Sequence, residues 1–137
     1  MTSGASRRSI AVLCSLAGAC DASTGLLLVA APLIVLDLMG VAPAPAEPIY
    51  LRFIGVFVGG VGLAYLYPWI GARARRRARV ATVLEATAAL RLAVGAFVLA
   101  SVWARALPAA WLLVAATDVG VAVAQIGLLW RGLPGEA

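Results

Sequence analysis

Residues 80–103 read VATVLEATAALRLAVGAFVLASVW, an apolar run interrupted by two charged side chains, Glu85 and Arg91. A helix rises about 1.5 Å per residue, so this run reaches about 36 Å, enough to cross the roughly 30 Å of hydrocarbon in a bilayer. Lipid offers no partner to backbone N–H and C=O groups, so such a segment crosses as a helix. Working outward, three more runs have the required length: about Ile10 to Leu38, Ile49 to Ile70 and Pro108 to Trp130. The connections between them are short, which places neighbours antiparallel. The expected fold is all-α, a four-helix transmembrane bundle with up-down topology in a single domain, residues 1–137.

Punctuation agrees with these boundaries. Ser6 or Ser9 can cap the first span, Val41 to Pro48 contains three prolines and forms a stiff turn, and Pro108 suits the first turn of the fourth span. Gly132, Pro134 and Gly135 stop that span. Composition points the same way, because 64% of the 137 residues are hydrophobic and only 12% charged, too little polar surface for a soluble domain. All eleven basic residues are arginine, which with the abundant alanine suggests a GC-rich, bacterial coding sequence.

Arginine placement sets the expected orientation, since cytoplasmic flanks retain Arg during insertion. Arg7, Arg8, Arg73, Arg75, Arg76, Arg77, Arg79 and Arg131 fall on one side, Arg52 and Arg105 on the other. Both termini and the loop 71–79 are therefore expected in the cytoplasm of a cell whose inner (plasma) membrane holds the chain. Trp69, Trp103, Trp111, Trp130, Tyr50 and Tyr67 fall near span ends, where amphipathic rings prefer the interface. A rival reading treats Arg7-Arg8, the apolar stretch and Ala17-Gly18-Ala19-Cys20 as a secretory signal. The apolar run continues to Leu36, however, and cleavage at Cys20 would strand half a span.

The absence of His removes the commonest metal and haem ligand. No catalytic set, metal site or cofactor is expected: there is no phosphate loop, Ser/His/Asp set or HExxH motif. Cys14 and Cys20 lie about 240° apart around one helix and cannot pair, so both are expected as buried fillers.

The informative residues are the ionisable ones inside the spans, because a charge at the bilayer centre costs roughly 2.5 to 3.5 kcal/mol and must face protein or water. Asp21, Arg91 and Asp118 fall at a similar depth, so Arg91 can bridge the two acids. Thr87, Arg91 and Gly95 recur every fourth residue, and Trp111, Asp118 and Gln125 every seventh; Ser23 and Thr24 flank Asp21. The expected buried polar cluster is Asp21, Arg91, Asp118, Thr87 and Gln125. It reads either as an ion-pair network fixing helix register or as a site for a proton, cation or small ligand, which would make the chain transporter-like.

Gly55 and Gly59 form a GxxxG suited to close helix packing, within the chain or between copies. Arg52 can snorkel or pair with Asp37 or Glu47, and Glu85 is placed to answer the arginines of the loop. Arg73, Arg75, Arg76, Arg77 and Arg79 form a topology anchor that can gather anionic lipid headgroups, each worth about 1 kcal/mol. Expected partners are thus the lipid bilayer and a homo-oligomer or membrane-complex subunit, with no nucleic acid.

Gly25 with Pro32, Arg52 followed by Gly55 and Gly59, then Arg91 and Asp118 together resemble the small four-helix bacterial membrane proteins called DoxX-like. The resemblance covers nearly the whole chain and implies a four-helix bundle, with little about activity. Small multidrug exporters share four spans and an acid in the first, but the aromatic and Gly pattern around that acid is missing here.

Overall fold

The computed structural model describes residues 3–41, 48–70 and 75–131, with side chains from residue 8 onward. Five helices follow one another: α1 (Ser3–Ala30), α2 (Pro32–Leu38), α3 (Ile49–Ala64), α4 (Arg76–Trp103) and α5 (Leu112–Trp130). The architecture is all-α, and four segments are long and apolar enough to cross a membrane. They are Arg8–Ala30, Ile49–Trp69, Arg76–Trp103 and Ala109–Trp130.

Several boundaries differ from those the sequence suggested. The first run is not one helix through Leu38, because Pro32 cannot continue α1 and Ala31 takes φ −141° before α2 begins. Helix α1 also starts at Ser3, so Ser6 and Ser9 lie inside it and do not cap it. The second run stops being α-helical at Ala64 and continues as a single 3-10 turn, Tyr67–Trp69, with Pro68 within it. Helix α4 starts at Arg76, so Arg76, Arg77 and Arg79 belong to a helix and not to a loop. Pro108 is extended and caps a 3-10 turn, Ala109–Trp111, that feeds α5. The proposed turn residues 42–47 and stop residues 132–135 lie outside the described residues.

Two helix ends close in the same way. Gly40 takes φ +68°, and Val41 N–H returns to the Leu36 carbonyl at 2.9 Å; Arg105 takes φ +58°, and Ala106 N–H returns to the Ser101 carbonyl at 2.8 Å. Each is a left-handed cap that satisfies end carbonyls. Glycine fills the first without strain, whereas Arg105 bears the steric cost of its Cβ, about 1 to 2 kcal/mol.

The bundle consists of two antiparallel hairpins, α1 with α3 and α4 with α5, whose backbones approach each other much less than they approach within a hairpin. The first hairpin is close-packed through glycine. A Cβ placed on Gly25 would lie 2.4 Å from the Gly59 backbone nitrogen, and one on Gly62 would lie 2.5 Å from that of Ala22. Gly55 is likewise against Gly25 and Leu28, so the Gly55/Gly59 face packs inside this chain. In the second hairpin Gly95 faces Val119 and Ala115. Toward the arginine end, Ile10, Cys14 and Ala17 of α1, Tyr65, and Val80, Val83 and Leu84 of α4 form an apolar core across both hairpins.

Apolar side chains elsewhere point outward in a manner suited to lipid, among them Phe53, Leu63 and Phe97. Trp103 and Trp130 are almost fully exposed at helix ends, and Tyr50, Tyr67 and Trp69 are exposed as well. Cys14 is buried as expected of a filler, but Cys20 faces outward.

The glycine contacts generate a graded expectation. Gly25→Ala and Gly62→Ala force a methyl into backbone and should destabilise by about 1 to 3 kcal/mol. Gly60→Ala meets nothing within 4 Å and should gain up to about 1 kcal/mol from helix propensity. Denaturant titration in mixed micelles, followed by circular dichroism, measures the order.

Candidate functional site: a buried Asp–Arg–Asp bridge

Arg91 lies near the middle of the 28-residue helix α4 and is buried, at 5% exposure. Its Nη1 donates to Asp118 Oδ1 at 2.5 Å, and its Nη2 donates to Asp21 Oδ2. These are the two ion pairs among the described residues. Asp118 belongs to the same hairpin as Arg91, and Asp21 to the other, so one contact orients the guanidinium and the second ties the hairpins together. The carboxylates keep more access than the arginine, with side-chain exposures of 13% for Asp21 and 15% for Asp118 against 6% for Arg91.

A guanidinium can serve two carboxylates because its terminal nitrogens point apart in a fixed plane. Here Arg91 uses both, while its buried Nε has no partner. With both acids ionised the cluster carries one net negative charge, which a cation nearby would offset.

One helical turn toward the arginine end a neutral layer continues the polar interior. Gln125, with no exposure at all, donates through Nε2 to Tyr65 Oη at 2.7 Å and to Thr87 Oγ1 at 2.8 Å. Thr87 Oγ1 in turn donates to the Val83 carbonyl at 2.6 Å. The Gln125–Tyr65 bond is a second polar tie between hairpins. Gln125 Oε1 is buried without a partner among the described residues.

The structure thus brings together Asp21, Arg91, Asp118, Thr87 and Gln125. It adds Tyr65, which sequence reasoning passed over in favour of the aromatic residues at span ends. Its signal was its phase: Tyr65 follows Gly62 by three residues and Gly55 by ten, on the helix face already marked by glycine. Trp111 is only half-buried, and Ser23 turns outward to bond the Cys20 carbonyl at 3.0 Å. Among the described residues Arg52 and Asp37 form no ion pair, both being exposed on separate helices, and Glu47 lies outside them. Glu85 likewise pairs with no described arginine.

The basic patch divides. Arg75 and Arg77 are exposed, Arg76 is half-buried, and Arg79 stacks over the Tyr67 ring at 5.0 Å, so it is engaged by protein. Arg73 lies outside the described residues. No group of three metal-binding side chains occurs among the described residues. Comparison with family models, curated proteins and solved structures finds no match. Fold and site together define a helical integral membrane protein with an ionic bridge in its interior.

Removing Arg91 strands two carboxylates in the interior, whereas removing either acid leaves a neutral pair. Arg91→Met should therefore destabilise by about 3 to 5 kcal/mol and exceed Asp21→Asn or Asp118→Asn. Gln125→Leu should cost about 1 to 3 kcal/mol through the unpaired Tyr65 hydroxyl. Unfolding of the four variants in one detergent mixture gives the comparison.

Proposed function

We propose that the chain is a small structural or accessory membrane protein in which the Asp21–Arg91–Asp118 network holds two helical hairpins in register. The observation that carries this reading is that Arg91, buried near mid-helix, is neutralised by one carboxylate from its own hairpin and one from the other. The polar layer at Gln125 repeats the arrangement with uncharged groups. The cluster offers a means of holding helices, and its candidates for nucleophile or base are the two carboxylates alone. The DoxX-like pattern of Gly25, Gly55, Arg91 and Asp118 agrees with a bundle of this type.

In this proposal both termini and the segment 71–79 face the cytoplasm of a bacterial inner membrane. Arg75 and Arg77, with Arg73, meet anionic headgroups, and the exposed apolar flanks meet lipid, a second copy or a larger membrane complex. A reporter fused after Arg131 should be active only in the cytoplasm.

A second reading rests on the greater access left to Asp21 and Asp118. In it the acids exchange a proton or hold a cationic substrate while Arg91 restrains the empty state. The two readings part on Asp21→Asn. A structural bridge predicts lowered stability and no pH-driven flux in wild-type proteoliposomes. A wild-type flux lost in a fully stable Asp21→Asn protein would establish the transporter reading instead.

A further inference from the structure

Between the first half of α4 and the last turns of α5, a groove of about 990 Å³ runs along the flank of the bundle. The close contact of these helices, Gly95 against Val119, lies nearer the opposite end. Along the groove Ala81, Ala88 and Ala89 are too short to fill the furrow, while Leu92 marks its inner end and Trp130 stands at its arginine-end mouth. Glu85 lines the same wall, exposed and without an ion-pair partner among the described residues. Arg77 sits at the mouth, eight positions earlier and so about 12 Å away along the axis. Glu85 lies nine residues into a helix of 28, and its side chain leans back toward the arginine end.

We infer that this groove binds a singly charged cationic amphiphile, its ammonium head at Glu85 and its apolar tail along Ala88, Ala89 and Leu92. Three features agree on that occupant. The carboxylate lacks a counter-charge that a cation supplies. The order of groups with depth, carboxylate first and apolar lining beyond it, matches a head near the membrane surface and a tail directed inward. Trp130, 86% exposed, offers a ring face to the ammonium. The volume falls in the range that holds a drug-sized molecule. Arg77 at the mouth disfavours a second positive charge on the ligand.

Charge argues against the other occupants. Two parallel copies meeting symmetrically here would set Glu85 against Glu85 and Arg77 against Arg77, like charges at equal depth. A phospholipid would bring its phosphate near Glu85, with Arg77 two turns away. This inference uses none of the residues of the ionic bridge and stands or falls apart from it.

The test places the chain in phosphatidylcholine nanodiscs and titrates dodecyltrimethylammonium by equilibrium dialysis of the radiolabelled compound. A variant with Trp69, Trp103 and Trp111 changed to Phe reports the same event through Trp130 emission. Expected are one saturable site above linear partitioning, at least tenfold weaker binding in Glu85→Gln, retention in Glu85→Asp, and no saturable site for dodecyl sulfate. Equal affinity in Glu85→Gln, purely linear uptake, or saturable dodecyl sulfate binding overturns the assignment. So does sedimentation showing a wild-type dimer that Glu85→Gln dissociates, since a second copy would then fill the groove.

Discussion

The positive charge of Arg91 in the middle of α4 is the constraint on which the arrangement of this bundle depends. Arg cannot shed its proton, so the guanidinium must find acceptors wherever the helix carries it. It finds them at Asp21 and Asp118. Those contacts hold α1, α4 and α5 at a common level and fix which face each turns inward. Because Asp21 sits between Gly18 and Gly25 on α1, the same choice of face bears on how α1 meets α3.

The two hairpins cohere by different means. Helix α3 has no ionisable residue along its middle and is held to α1 by backbone against backbone at Gly25, Gly55 and Gly62. In lipid that is the available route, because burying apolar side chains there releases no water and packing alone must supply the attraction. Between hairpins there is no comparable backbone approach, and the ties are side chains: Arg91 with Asp21, Gln125 with Tyr65, and the apolar core around Leu84. Close packing makes each hairpin stiff, and directional polar bonds select one register between them.

What the sequence revealed and what it hid divide along one physical line. Hydropathy reports depth, so the four spans and the shared level of Asp21, Arg91 and Asp118 were legible, as was the stripe of Thr87 and Gln125. Azimuth was much less legible. In a membrane the outward face is as apolar as the inward one, so a hydrophobic periodicity does not separate Cys14, which is buried, from Cys20, which is not. The outward turn of Ser23, beside Asp21 in the sequence, was hidden for the same reason, and Tyr65 was missed because an aromatic residue near a span end reads first as an interface anchor. The break at Ala31 was hidden by apolar residues on both sides of Pro32; hydropathy does not register a missing N–H.

The stoichiometry of the bridge carries a last consequence. One carboxylate is enough to neutralise a guanidinium, and Asp118 supplies it from within the hairpin of Arg91. At the level of Arg91 the α4–α5 hairpin is therefore electrically balanced by itself. The α1–α3 hairpin carries Asp21 with no cation at its depth, and an acid without a partner is costly to hold in lipid. Joining the hairpins gives Asp21 the Arg91 guanidinium as its partner. A bridge built from Asp118 alone would neutralise Arg91 without reaching across, so it is the second carboxylate that ties one hairpin to the other.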